Sequence, residues 1–115
     1  MTNYDIVLKK GDKEPIVYAK VLKRDKTGYP IYDVQSVVFH IMDLDGNEVA
    51  RGDGEIVNAD ESIISYAWGD ETLEPGAYNA EFKLHKINGN VMTVPSEGYI
   101  SVFIYNDIVT PLPVE

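Results

Sequence analysis

Two histidines, His40 and His85, are the side chains of this chain best suited to proton transfer or zinc ligation near neutral pH. Each alternates with core-type neighbours, in "VFHIM" and "KLHKI", which places both on the outer face of a strand. No motif ties either to a carboxylate, so neither a zinc site nor a proton relay is implied. "DLDGNE", residues 43–48, offers alternating oxygens from Asp43, Asp45 and Asn47, as a calcium loop does. An EF-hand loop has glycine at its sixth position and glutamate at its twelfth, whereas Gly46 stands fourth here. The stretch reads as a hairpin turn, with a weak cation site on Asp43 and Asp45 as the alternative. "RGDG", residues 51–54, spells the tripeptide that some adhesion receptors read, yet Gly52 and Gly54 are spaced as in a glycine-rich hairpin turn. Glu81 with Glu97, or Asp70 with Glu71, could form a glycosidase couple, but 19 acidic residues in a chain of 115 bring such pairs together by chance. There is no serine in a G-x-S-x-G elbow and no glycine-rich phosphate loop. The expectation is a protein that is not an enzyme and takes no cofactor.

The totals narrow the partners. Ten Lys and Arg stand against 19 Asp and Glu, a formal net charge of −9, and an acidic surface repels nucleic-acid backbones and anionic lipid alike. Neither is an expected partner. No run approaches the ~18 apolar residues of a membrane span, and "MTNYDIVLKKGDKE" lacks the basic and apolar regions of a leader; the expectation is a soluble chain made in a cytoplasm. With no cysteine, disulfides and thiolate chemistry are excluded. A chain of this length buries roughly two-thirds of its unfolded surface, enough for one domain without staples.

The elements that must position these residues are strands. Period-two patterns recur with turn signals every eight to twelve residues or about that, the spacing of a sandwich or barrel. "IVYAKVLK" puts Val17, Ala19 and Val21 on one face, with Tyr18 and Lys20 on the other. "SVVFHIMD" turns Val37, Phe39 and Ile41 inward and ends at Asp45-Gly46, suited to a two-residue hairpin turn. "ESIISYAW" sends Ile64, Tyr66 and Trp68 inward and leaves Ser65 outside. "AYNAEFKLHK" sets Tyr78, Ala80, Phe82 and Leu84 against Asn79, Glu81, Lys83 and His85, before Asn88-Gly89 turns the chain. "GYISVFIYN" points Ile100, Val102 and Ile104 inward. About seven to eight strands follow, the number in an all-β, immunoglobulin-like antiparallel β-sandwich. Tyr78, two residues after Gly76, resembles a tyrosine corner, and Trp68, Tyr78 and Phe82 are expected in the structural core. The domain is expected over residues 1–107, followed by a Pro-containing C-terminal tail, 108–115; the ends "MTNY" and "VTPLPVE" are expected to be loose.

One face is too apolar for water. Phe103, Tyr105 and Tyr18, with Val38 and Met42, are the interface candidates, because contiguous exposed apolar surface marks interaction sites. The competing expectation is that long side chains or the tail cover them.

"YDIVLKKGD", "SVVFHIMDLDGNEV", "ISYAWGDETLEPGAYNAEF" and "VPSEGYISVFI" together resemble the small immunoglobulin-like proteins and domains of tailed bacteriophages, typified by the N-terminal domain of the baseplate upper protein. The resemblance spans residues 4–104 and rests on Tyr66-x-Trp68, the acidic loop after it, the G-x-Y-x-A-E-F strand at 76–82 and P-x-E-G-Y-I at 95–100. It implies a non-enzymatic virion structural protein, assembled in the bacterial host cytoplasm, that docks onto tail or baseplate components as an adaptor or accessory module. Its partners would be other phage structural proteins, with homo-oligomerisation a further option. The longer members continue into a helical linker and another domain, whereas this chain stops at Glu115, which makes a free-standing adaptor or a capsid decoration protein an alternative. Exposed tyrosines suggest a further alternative, a carbohydrate-binding module for host-surface attachment.

Overall fold

A computed structural model describes residues 4–11, 16–22, 28–69, 73–95 and 98–105. The tail 108–115, Asp70, Glu71 and Glu97 lie outside the described residues. Among these residues nine strands follow in chain order: β1 (Ile6–Lys9), β2 (Val17–Lys20), β3 (Val34–Met42), β4 (Glu48–Asp53), β5 (Glu55–Asn58), β6 (Ile63–Tyr66), β7 (Gly76–Lys86), β8 (Val91–Val94) and β9 (Ile100–Tyr105). The protein is an all-β, immunoglobulin-like sandwich. One sheet runs β1-β9-β7-β3-β4, with β8 also on β7, and the other runs β2-β6-β5. β7 spans both β8 and β9 along one edge, pairing Gly76–Ala80 with β9 and Phe82–His85 with β8. Nine strands among the described residues stand against the seven to eight expected. Pairing is antiparallel between all named strands except β1 and β9, which run parallel.

The alternation seen in sequence builds the core directly. Phe39, Ile41, Ala80, Phe82, Leu84 and Val102 of the large sheet and Val17, Ile64 and Tyr66 of the small sheet meet between the layers. Phe39 is the hub: its ring lies 4.6 Å from Tyr66, 4.7 Å from Phe82 and 5.9 Å from Trp68. Burying each such ring contributes about 1.5–3 kcal/mol, which replaces the staple a cysteine-free sandwich lacks.

Three local expectations need correction. Ser65 faces outward as expected but is buried instead of exposed to solvent, because β6 is the central strand of its sheet and larger side chains flank it on β2 and β5. Both hairpin turns use three-residue loops in place of two. Gly46 N donates to Asp43 O and Asp43 N to Asn47 O, and Gly89 N donates to Lys86 O and Lys86 N to Asn90 O. In each, the glycine alone is left-handed, at φ 91° and 92°, which is the type I turn with a bulge. Finally, "RGDG" is no hairpin turn. β4 pairs with β3 in the large sheet and β5 with β6 in the small one, so Gly54 is the corner at which the chain changes sheets. A Cβ at Gly54 would stand 2.7 Å from the Ser65 carbonyl oxygen, and one at Gly52 2.6 Å from the Tyr66 ring. The glycines are there for close packing.

Candidate functional site

On the outer face of the large sheet, β1 and β9 bring apolar side chains into one corner. Val7 is registered beside Phe103, and Phe103 beside Ala77 of β7, so a flat shoulder of small side chain flanks the ring. The Phe103 and Tyr105 rings lie 4.5 Å apart edge to face, and Tyr4 leans on Phe103 at 4.9 Å. Tyr105 and Val7 remain 51% and 48% exposed, so the corner is open to solvent. Tyr4 was expected in a loose end, yet it is half-buried, held by that ring contact. Polar ties border the cluster. Asp5 N donates to Ser101 Oγ, Ser101 N donates to Asp5 Oδ2, and Lys10 pairs with Glu74 at 3.3 Å. An aromatic centre with a polar border is the anatomy of a protein-docking hot spot.

The other interface candidates lie elsewhere. Val38 and Met42 share the outer face of β3 but are half-buried and separated from Phe103 by β7, whose Asn79 and Glu81 intervene. Tyr18, 62% exposed, sits on the outer face of the small sheet, on the other side of the molecule. The expected single patch is therefore three separate places, since strands far apart in the sheet order cannot join their outward residues. Of the core candidates, Trp68 is buried, Phe82 is fully buried, and Tyr78 is half-buried against the core. The Tyr78 hydroxyl donates to the Glu74 carbonyl at 2.5 Å, tying the preceding loop to β7 as a tyrosine corner does. Burial, with the Glu74 and Asp43 carboxylates nearby, pushes this phenol up and keeps it a donor.

Between the aromatic corner and β4 runs a belt of charge. Glu48 takes His40 Nδ1 at 2.5 Å on one oxygen and Arg51 at 2.8 Å on the other. These two contacts, His40 foremost, hold its carboxyl below the usual carboxylate range. Lys83 bridges Glu81 at 3.4 Å and donates to Thr93 Oγ1 at 2.7 Å. His40 is thus engaged in a tie between β3 and β4, with no nucleophile in the group. The Asp43 carboxylate is occupied by the turn itself: its Oδ1 accepts from the amides of Asp45 and Asn47, both at 2.9 Å, which lowers its pKa. Among the described residues no group of three or more His, Cys, Asp or Glu is arranged to hold a metal ion, and no helix is long and apolar enough to cross a membrane.

The geometry defines a β-sandwich with an exposed aromatic corner. Among solved structures the chain is similar to CopC from Methylosinus trichosporium OB3b, with 15% identity and a TM-score of 0.50 over 90% of this chain and 86% of that one. At that identity the likeness concerns the sandwich fold alone. No protein-family model matches the chain, and neither does any curated protein sequence.

Proposed function

We propose that the chain is a non-enzymatic structural protein of a tailed-bacteriophage particle, docking onto tail or baseplate components as an adaptor or accessory module. The observation that carries this reading is the Tyr4–Val7–Phe103–Tyr105 corner, four apolar or aromatic side chains gathered on the outside of a complete sandwich. The ring contacts leave Tyr105 and Val7 exposed in the monomer, whereas a docked partner would bury them. The ordered motifs at 66–68, 76–82 and 95–100 supply the phage context through their resemblance to baseplate domains. The partners are other structural proteins of the particle, and the location is the virion.

The test replaces Phe103 and Tyr105 with serine. The double variant should keep its fold, checked by circular dichroism, and lose most of its incorporation into particles of the source virus. Incorporation at the unmodified level would remove the corner from the docking surface. Immunogold labelling of unmodified particles is expected at the tail end; label over the head would assign capsid decoration, and no label on accessible particles would overturn the virion reading.

A further inference from the structure

The end of the sandwich away from the aromatic corner carries a pocket of about 290 Å³, lined by Tyr29, Pro30, Tyr32, Asp33 and Lys86. Phe103 of the corner pairs with Ala77 and Lys86 closes β7, so the length of that strand, roughly 30 Å, separates the two places. The pocket's walls are fixed before any ligand arrives. Ile31, only 1% exposed, anchors the loop in the core and leaves Pro30 and Tyr32 outside. Tyr29 N donates to Val21 O, and Tyr29 O accepts from the hydroxyl of Ser62, a residue at a left-handed φ of 62° that side chains rarely adopt. Tyr32 is 67% exposed, yet its hydroxyl donates to the Asp60 carboxylate, so the ring stands in solvent with its far end tied. A ring held this way loses little freedom on binding.

The polar groups of the pocket are a matched pair. The Lys86 side chain is 15% exposed, and its ammonium stands 3.6 Å from Asp33 Oδ2, 3.5 Å from the Tyr29 hydroxyl and 5.3 Å from the centre of the Tyr29 ring. Both polar contacts are long for N–H···O bonds, so among the described residues this group with three donors is loosely held. Asp33 adds a carboxylate that only accepts, and Tyr29 a hydroxyl that both donates and accepts. Lys86 and Asp33 balance each other, so the pocket offers an ion no net charge, and the −9 of the whole chain repels anions further. What remains is an aromatic face beside a donor and an acceptor a few ångströms apart. That combination suits an uncharged ligand with an apolar face and a rim of hydroxyls.

We propose that this pocket binds a neutral saccharide through one pyranose ring. The C–H face of the sugar lies on Tyr32 and Pro30, while two adjacent hydroxyls meet the charged pair, one accepting from the Lys86 ammonium and the other donating to the Asp33 carboxylate. The volume stands at the lower end of ligand pockets, roughly 300–1,000 Å³, which suits a single ring. A proline-rich peptide also lies on tyrosine rings, but it has few N–H groups to offer Asp33. The site does not depend on the virion reading; a chain docked by its aromatic corner would present this end outward.

The test is a ¹⁵N NMR titration of the full chain with the methyl glycosides of glucose, galactose, mannose, N-acetylglucosamine and rhamnose, beside sorbitol, which keeps the hydroxyls but has no rigid ring face. Saturable amide shifts confined to 28–33, 58–62 and 84–88 are expected with at least one glycoside and not with sorbitol. Tyr32→Ala and Asp33→Ala should each weaken that binding by about tenfold or more. Tyr18→Ala, which removes a ring of similar exposure from the outer face of the small sheet, should leave it unchanged. No saturable shift from any glycoside at high millimolar concentration, an equal response to sorbitol, an equal loss in Tyr18→Ala, or full binding in either pocket variant would each overturn the proposal. Shifts from acetyl-Pro-Leu-Pro-amide in place of the glycosides would reassign the pocket to protein docking and overturn it too. The unshifted remainder of each variant's spectrum reports that it is folded.

Discussion

Glu48 is one carboxylate shared between an imidazole and a guanidinium, and its position decides how the outer face of the large sheet responds to acid. His40 and Arg51 favour its charged form in the folded chain, so its folded pKa is lowered. The stability it contributes is therefore present above the ordinary carboxylate pKa and is lost as pH falls through the lowered value. Glu48→Gln should lower the unfolding free energy measured in urea at neutral pH by less than about 1 kcal/mol, because solvent screens an exposed pair. The gap between variant and parent should close when the carboxyl is protonated in the parent too. A gap that stays constant on acidification would assign the effect to packing. Tyr78 shows what sequence makes legible at this scale. Its tie to Glu74 spans four residues and uses a glycine two positions before it, so the whole device lies in one short stretch. A shallow groove on the outer face of the small sheet, floored by Ser65 and Ala67, was not legible because its walls come from Ile16, Tyr18, Asp53 and Glu55, which meet only once β2 and β5 flank β6. The one local signal was a run of small outward residues, Ser65 and Ala67, between large inward ones.

Strands and their faces were readable for a different reason. Alternation is a property of each strand alone, so the inward placement of Val37, Phe39 and Ile41, or of Ala80, Phe82 and Leu84, needs no knowledge of neighbours. Which outward residues are adjacent depends on strand order, and Tyr18, Val38 and Phe103 separated for that reason. Gly54 is the element whose role changed most. It lets one continuous segment pair first with β3 and then with β6, and its amide donates to the Val37 carbonyl at 2.8 Å. Gly54→Ala would press a methyl group against the Ser65 carbonyl and Val37, atoms belonging to both layers. The expected cost is about 1–3 kcal/mol in chemical denaturation, the range for overpacking, with faster hydrogen exchange at the residue 54 amide. Unchanged stability would mean that β5 moves away from β6 without loss.

At the scale of the whole molecule, the all-β sandwich was legible because turn signals and period-two runs fill the chain, but the pairing of its first strand with its last was not. β1 lies parallel to β9 in the register Ile6↔Val102 to Lys9↔Tyr105, and Asp5 and Ser101 add side-chain bonds across the same seam. Parallel pairing means that tension applied at Tyr4 and Tyr105 pulls the two strands lengthwise in opposite directions, loading the ladder bonds together. Tension at Pro75 and Tyr105 acts on an antiparallel pair, Gly76 beside Ile104, and opens it one bond at a time. Single-molecule pulling should therefore give a higher rupture force from the first pair of handles than from the second, and equal forces would show that the seam is not the limiting element. A domain strung by its two ends between larger bodies would then behave as a mechanical clamp, holding its shape under loads that peel a hairpin apart.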